Sequence, residues 1–276
     1  MLGIYREDVY SPNRIDDDAA ILQLTAEAIS RRGYSVQLVK PSEIASEPST
    51  SVVFGMCEGP GALRTLEKWE SEGHTLINSP QAVQNCYRNK MLSLLAKKPI
   101  PFPKTLIQQT SERVNGQFDL KNGLWVKRGD VHNTHPGDVR LIYDRASLDE
   151  AIQALYTRWI KQVVLQEHIE GDLIKFYGVL TEGWFQYFYH KPDEKHGYPF
   201  EPEAIRATAE LAAKNLDLKI FGGDIVIAED GHYLVDINSW PSFAICREEA
   251  AEQIASCLIR CYEEMEPYSD QQGKLV

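Results

Sequence analysis

Oxygen-bearing side chains interrupt two apolar stretches late in the sequence. Asp224 and Asp236 each border an apolar stretch, and Asn238 follows Asp236 by two residues. Because side chains alternate along a strand, Asp236 and Asn238 leave the same face. Carboxylate and amide oxygens from two strands suit Mg²⁺, which also binds phosphate oxygens and water. An Asx turn at Asn238 is the alternative explanation, but a buried carboxylate without a cation is costly. We therefore predict a metal site at Asp224, Asp236 and Asn238.

Three lysines are candidates for binding phosphate. Lys127 ends the apolar stretch 124–126, where an ammonium group needs a partner. A phosphate would serve, although for Lys127 taken alone a salt bridge is the simpler explanation. Lys175 lies within a predicted strand and faces away from Ile174, whereas Lys90 lies on a predicted helix, where lysine is common.

The elements that must position these residues follow from hydrophobic periodicity and turn residues. In the first part of the chain we predict strands at 1–5, 34–39, 51–56 and 75–78 and helices at 16–32 and 62–72. The alternation of strands and helices indicates a small open α/β domain.

The rest of the chain mixes helices with strands that pair in hairpins. We predict helices at 80–97, 204–215 and 247–265 and strands at 104–108, 124–128, 163–167, 174–180, 183–190, 221–228 and 233–237. The turn at 229–231 makes the last two strands a hairpin, which brings Asp224 and Asp236 together.

In combination, four segments resemble the ATP-grasp superfamily, and the resemblance covers about residues 80–245. The segments are Arg88-Asn89-Lys90, Leu124-Trp125-Val126-Lys127-Arg128-Gly129, residues 164–175, and Gly222-Gly223-Asp224-Ile225-Val226 with Val235-Asp236-Ile237-Asn238-Ser239-Trp240-Pro241. Each motif is weak by itself, and the order and spacing of all four carry the resemblance.

The resemblance implies a role for each matched residue. Lys90 and Lys127 would hold the nucleotide phosphates, and the loop 129–137 would fold over them. The linker strand would pass the adenine and ribose with residues Gln166, Glu167, His168 and Ile169, and Asp172 would meet the ribose. Lys175 would contact the transferred phosphate, and Asn238 would serve both the metal and the reaction.

The same resemblance implies the architecture, an α/β and α+β ATP-grasp fold. An N-terminal open α/β (pre-ATP-grasp) domain would span 1–85, the small lobe 86–168, and the C-terminal lobe with the metal site 169–276. The two α+β lobes would clasp ATP with one or two Mg²⁺ ions.

Departures from the pattern leave two activities open. The carboxylate–amine ligases of this superfamily usually have Arg in place of Lys175, Glu in place of Asp236 and Gly in place of Ser242. Lys175 and Asp236 are more similar to ATP-grasp inositol polyphosphate kinases, as is His132, which resembles a substrate-contacting histidine there. The segment 5–14 lacks the lysine-rich stretch of those kinases.

A ligase that activates a carboxylate as an acyl phosphate is the activity that we predict, because it is the commoner one in this architecture. A kinase acting on a hydroxyl is the alternative. A nucleotide-binding module without catalysis is a third hypothesis, but it would leave the metal set unexplained.

Three arginines are candidates for binding an anionic acceptor. Arg6 and Arg14 lie in the N-terminal loop, and Arg247 lies at the start of a predicted helix. Exposed arginines without a ligand are an equal alternative for each. The sequence predicts a small-molecule acceptor without naming it, and it does not predict the oligomeric state.

Composition excludes several other classes of function. The chain has 276 residues, 43% hydrophobic and 25% charged, as in soluble globular proteins. The net charge of −11 argues against nucleic acid as a partner. No apolar stretch is long enough to span a membrane and the first residues do not form a signal peptide, so we predict a cytoplasmic protein. The odd number of cysteines, five, argues against a disulfide framework.

Overall fold

Three four-stranded sheets follow one another along the chain. The computed structural model describes residues 1–44, 47–114, 116, 118–131 and 133–265. The first sheet contains β1 (Leu2–Ile4), β2 (Gln37–Val39), β3 (Val52–Gly55) and β4 (Thr75–Ile77). The second contains β5 (Thr105–Gln109), β6 (Leu124–Arg128), β7 (Val139–Ile142) and β8 (Gln162–Glu167). The third contains β9 (Asp172–Val179), β10 (Trp184–Tyr189), β11 (Ile220–Ala228) and β12 (Gly231–Ser239).

Helices cover the sheets and connect their strands. They are α1 (Ile15–Arg31), α2 (Pro60–Ser71), α3 (Pro80–Asn85), α4 (Arg88–Leu95), α5 (Arg145–Thr157), α6 (Pro202–Asn215) and α7 (Arg247–Met265). Acidic residues occupy the first turn of α1, and Arg31 lies in its last turn. The charges at both ends therefore interact favourably with the helix dipole. Pro60 and Pro80 begin α2 and α3, where the missing N–H of proline has no helical partner to lose.

The first sheet is parallel, with the strand order β2-β1-β3-β4. Its core is shared with elements from the other end of the chain. Ile21 and Leu258 belong to one buried cluster that joins α1 to α7. Phe54 stacks on Trp240, with ring centroids 5.8 Å apart. The predicted α/β domain therefore shares one core with the C-terminal lobe, whereas Leu63, Leu66 and Trp69 of α2 belong to a second cluster confined to the first part of the chain.

The second sheet is antiparallel, in the order β5-β8-β6-β7, and it has a core of its own. β7 and α5 were not predicted from the sequence. The signals for α5 were present, because Asp144 accepts a hydrogen bond from the backbone N–H of Ser147 as an N-cap does. The apolar residues Leu148, Ile152 and Leu155 also recur at helical spacing and are buried.

The predicted helix 80–97 is wrong in one respect, because it is two helices. Tyr87 has an extended backbone, with φ −59° and ψ 129°, and separates α3 from α4. Its hydroxyl donates a hydrogen bond of 2.5 Å to the backbone carbonyl of Glu58. Met91 and Leu95 then bury the inner face of α4 in a cluster with β9 and β11. Ala82 of α3 belongs to the same cluster, so packing is continuous from α3 to α4.

The third sheet is antiparallel, with the order β10-β9-β11-β12. The predicted hairpin is present, and β11 and β12 are joined by the two residues 229–230. In its register Asp224 lies opposite Asp236 on one side and opposite Lys175 on the other. Three residues that carry chemistry therefore form one row across β9, β11 and β12.

All five cysteines lie in the described residues and are free thiols, as predicted. None of the described helices combines the length and apolar character that crossing a membrane requires.

Candidate functional site

Two adjoining cavities lie along the row formed by Lys175, Asp224 and Asp236. The smaller cavity, about 290 Å³, lies between the second and third sheets. The larger cavity, about 500 Å³, extends toward the first sheet. They share four lining residues, which we call the junction: Arg88, Asn133, Asp224 and Asp236. A long ligand could occupy the smaller cavity and meet a second molecule at the junction.

Both carboxylates of the junction are paired with a cation. Lys175 Nζ donates a hydrogen bond of 3.0 Å to Asp224 Oδ1. An Arg88 nitrogen lies 3.8 Å from Asp236 Oδ2. Lys175 lines the larger cavity, whereas its neighbour Ile174 is fully buried on the other face of β9. Lys175 therefore faces away from Ile174, as predicted.

Asp224, Asp236 and Asn238 are compatible with a Mg²⁺ ion. All three line the larger cavity, and Asn238 lies opposite Gly222, which carries no side chain to obstruct it. Within the part of the chain that the structure describes, no three His, Cys, Asp or Glu side chains are grouped to hold a metal by themselves. The set of two carboxylates and one amide therefore fits an ion that completes its shell with phosphate oxygens and water.

Arg88 is the cation that the fold directs into both cavities. It is 4% exposed, and Arg88, Met91 and Leu95 share the buried face of α4. Its side chain donates to the backbone carbonyl of Arg128 at 3.3 Å and to Asn133 Oδ1 at 2.9 Å. Its Nε has no hydrogen-bond partner among the described residues. A buried guanidinium with an unused N–H suits an anionic ligand.

Lys90, predicted to hold phosphate, lies elsewhere. It is exposed, and its Nζ donates a hydrogen bond of 3.0 Å to Gln84 Oε1. It lines neither the smaller nor the larger cavity. The break at Tyr87 starts a new helical turn at Arg88, so that Arg88 faces inward and Lys90 faces outward. Sequence reasoning missed Arg88, although its spacing to Met91 and Leu95 is that of a buried helix face.

Lys127 lines the smaller cavity, as its predicted role requires. It is 7% exposed, and its Nζ donates a hydrogen bond of 2.7 Å to Gln166 Oε1. Burial lowers the pKa of Lys127 to about 8, an effect that Arg88 reinforces and that Asp236 and Asp224 oppose. Within the described residues Lys127 forms no salt bridge, so the simpler explanation considered for the sequence does not hold.

The linker residues Gln166, Glu167, His168 and Ile169 also line the smaller cavity. His168 Nδ1 accepts a hydrogen bond of 3.1 Å from the indole N–H of Trp125, which fixes both rings in the cavity wall. Burial lowers the pKa of His168, which keeps the imidazole neutral near pH 7. A wall that contains two aromatic rings suits a planar heterocycle.

Asp172, predicted to meet a ribose, is directed away from the cavities. It is buried and accepts backbone hydrogen bonds from His196 at 2.6 Å and from Gly197 at 2.8 Å. Although burial alone would raise the pKa of Asp172, these hydrogen bonds keep it below its usual value. The carboxylate thus stabilises the loop after β10, and Glu167 is the acid of the linker that lines the smaller cavity.

The loop between β6 and β7 approaches the junction through Asn133. His132 lies outside the described residues. Asp138, at the end of the loop, is fully buried and accepts hydrogen bonds from the backbone N–H groups of Thr134 and His135. Burial opposes its ionisation, but these bonds together with Arg158 and Arg128 lower the pKa of Asp138 to about 2. This carboxylate holds the loop against the second sheet.

The three arginines predicted for the acceptor are in different environments. Arg6 and Arg14 line the larger cavity, whereas Arg247 does not. Arg247 donates a hydrogen bond of 2.6 Å to Asp17 and so ties α7 to α1. Arg6 donates to the backbone carbonyl of Trp240 at 2.7 Å, which links the first sheet to the third.

Solved structures with the same architecture cover nearly the whole chain. D-Alanine–D-alanine ligase from Bacillus anthracis complexed with ATP has a TM-score of 0.73 and 13% identity, over 96% of this chain and 99% of that chain. A RimK domain ATP-grasp protein from Sphaerobacter thermophilus has a TM-score of 0.68 and 18% identity, over 94% of this chain and 100% of that one. The ATP-grasp ligase PsnB complexed with a precursor peptide and AMPPNP has a TM-score of 0.63 and 16% identity, over 94% of this chain and 96% of that one.

Sequence comparison finds no such likeness, since no family profile and no curated protein matches the chain. At the identities above, structural likeness shows a shared fold. The chain has the ATP-grasp fold that its sequence predicted.

Proposed function

We propose that this chain, with its ATP-grasp fold, is an ATP-dependent ligase that activates a carboxylate as an acyl phosphate and transfers the acyl group to an amine. The junction is the observation that carries the proposal. It joins a cavity with a partly aromatic wall to a second cavity at the place where cations and carboxylates converge. Phosphoryl transfer needs its two reactants to meet at such a place.

The smaller cavity accounts for the nucleotide. Its outer wall, with His168 and Trp125, suits the adenine, and Lys127 and Arg88 lie toward the phosphates. The named ligand of the Bacillus anthracis structure, ATP, supports this assignment. Arg88 takes the place that the sequence pattern assigned to Lys90.

Asp224, Asp236 and Asn238 would hold Mg²⁺, which supplies charge neutralisation for the phosphates when bound. A cation there would replace the present partners of the two carboxylates, Lys175 and Arg88. Both side chains would then be free to bind the oxygens of the transferred phosphoryl group.

The reaction has two steps. A carboxylate oxygen of the acceptor attacks the γ-phosphorus, the bond from that phosphorus to the β–γ bridging oxygen breaks, and ADP leaves. The amine nitrogen then attacks the carbonyl carbon, the carbon–oxygen bond to phosphate breaks, and the amine gives up one proton. In both steps this chain positions the reactants and stabilises developing negative charge through Lys175 and Arg88.

Lys175 and Asp236 leave a hydroxyl kinase as the second candidate, because both residue types are more similar to ATP-grasp kinases than to ligases. The comparisons do not favour it, since two of the three structures described above are named as ligases. The two activities differ in one product, because a ligase releases free phosphate and a kinase does not.

The test is a screen of purified protein with Mg-ATP, pooled carboxylic acids and hydroxylamine. Hydroxylamine captures an acyl phosphate as a stable hydroxamate, so we expect ADP, free phosphate and hydroxamate in equal amounts. Reactions without a carboxylic acid are the control for ATP hydrolysis. ADP formation with polyols, without free phosphate, would replace the ligase with the kinase.

A further inference from the structure

Glu58 has an unusual position in the wall of the larger cavity. It is 5% exposed, it follows β3, and it lines the larger cavity but not the smaller one. Its Oε1 lies 3.3 Å from an Arg6 nitrogen. Among the described residues no hydrogen-bond donor reaches its Oε2. A buried carboxylate oxygen without a donor is costly, so it marks a place for a missing partner.

The main chain of Glu58 is held firmly although its side chain is not satisfied. Its backbone N–H donates a hydrogen bond of 3.0 Å to Glu7, and its carbonyl accepts one of 2.5 Å from the Tyr87 hydroxyl. These bonds fix the main chain of Glu58, and the ion pair with Arg6 holds its side chain in the wall. A fixed, incompletely paired carboxylate of this kind is preorganised for a ligand.

Charge at this end of the cavity selects the ligand. Arg6 serves two carboxylates there, Glu58 and Asp18, which leaves one negative charge in excess. Asp18 is already satisfied, because its Oδ2 accepts hydrogen bonds from Arg6 and from the Ser11 hydroxyl at 2.7 Å. Arg14 lines the same cavity but is exposed and lies 3.8 Å from Asp17. Glu58 thus shares its cation, Arg6, with Asp18 and keeps one oxygen, Oε2, without a partner among the described residues.

We infer that Glu58 binds the ammonium group of the acceptor, so that the molecule activated is an amino acid or another acid that carries a charged amine. The inference rests on the proposed ligase function and names its substrate class. The amine that attacks must first lose a proton, whereas pairing with a carboxylate keeps an amine in its protonated form, which has no lone pair to attack a carbonyl carbon. The group at Glu58 therefore belongs to the acid that is activated, whose carboxylate extends toward Lys175 and the junction in the same cavity.

The test uses pairs of acids that differ only in the ammonium group, such as β-alanine with propionate and γ-aminobutyrate with butyrate. Hydroxylamine is the common nucleophile, and hydroxamate and ADP are measured. We expect the wild-type protein to prefer the ammonium-bearing acid of each pair. Glu58→Gln should reduce that preference about 10- to 100-fold, because it removes a charge-assisted hydrogen bond. The reduction should appear as a higher KM for the ammonium-bearing acid. The KM of ATP should not change.

Glu72→Gln is the matched control, because Glu72 lies at the other end of α2, lines neither cavity and forms an ion pair with Lys68. It should retain the wild-type preference. Preference for the acid without an amine, or an unchanged preference in Glu58→Gln, would overturn the inference while leaving the ligase in place.

A second measurement applies if no acid is turned over, which would count against the ligase itself. The melting temperature is recorded with AMPPNP, Mg²⁺ and each acid of a pair. Stabilisation by the ammonium-bearing acid alone, lost in Glu58→Gln, would support the inference independently of turnover. Equal shifts for both acids, or no shift for either, would overturn it.

Discussion

The two cavities are built from different parts of the fold. Lys127, Gln166 and Val226 in the smaller cavity belong to strands, so their positions follow from hydrogen-bonded register. Much of the larger cavity comes from the segments after β1 and after β12, with residues such as Arg14 and Ile245. Side-chain ties, such as that from Arg6 to the carbonyl of Trp240, hold these segments in place.

This difference indicates which end of the site is fixed and which can vary. A shift of one residue in sheet register would turn every side chain of a strand to the opposite face. The strands that line the smaller cavity, where the nucleotide is proposed to bind, therefore tolerate little change. Loops accept substitution more readily and commonly determine specificity. We therefore expect the acceptor to be encoded in the larger cavity and the shared chemistry in the junction.

The largest effect should come from the junction. Asp224→Asn is expected to lower kcat about 100-fold or more, because it removes charge from the predicted metal site and the partner of Lys175. Asp230→Asn, at the tip of the same hairpin, is the control and should retain activity. Steady-state kinetics and melting curves of both variants are the measurements. Near wild-type turnover in folded Asp224→Asn would remove the metal site from the mechanism.

A smaller effect should separate the two cations of α4. Arg88→Met is expected to weaken binding of Mg-AMPPNP about 10- to 100-fold, whereas Lys90→Met should change it less than about twofold. Isothermal titration calorimetry measures both, and circular dichroism checks that buried Arg88 can be replaced without unfolding. If Lys90→Met proved to be the weaker binder, Lys90 and not Arg88 would hold the phosphates.

The smallest effect that we expect is the dependence of nucleotide affinity on pH, which reports on Lys127 in the smaller cavity. The pKa of Lys127 is about 8 in the free protein, and bound phosphates would raise it by stabilising the charged form. Nucleotide affinity should therefore fall as the pH rises through about 8, by at most about tenfold per pH unit. Calorimetry between pH 7 and 9.5 measures this, together with proton uptake on binding. Lys127→Gln should bind more weakly with a flatter profile, and a flat profile in wild type would contradict the role of Lys127.

The site residues that lie on strands could be predicted, because periodicity and the register of a hairpin are local properties of the sequence. Asp224, Asp236 and Lys127 were found in this way, since each interrupts an apolar strand. Lys90 and Asp172 were assigned to the nucleotide by resemblance, and each lies outside the cavities for a tertiary reason. The break between α3 and α4 turns Lys90 outward. The backbone N–H groups of residues 196–198 donate hydrogen bonds to Asp172 and so hold it away from the cavities.

Glu58 could not be predicted, because nothing in its neighbours indicates that one carboxylate oxygen lacks a partner. Its situation depends on Glu7, Tyr87 and Arg6, which are distant in sequence. The shared core of the first and third sheets was missed for a similar reason. Amphipathic α1 and α7 each require a partner, but periodicity does not indicate which partner it is.

The packing of α1 against α7 has a consequence for biosynthesis. The first helix leaves the ribosome roughly 200 residues before the last one, and until then the apolar face of α1 lacks the part of its cover that α7 provides. The second sheet, with its own core, can form earlier. Completion of the fold therefore waits for a contact of very long sequence separation, which slows folding and leaves the first helix dependent on the last for its burial.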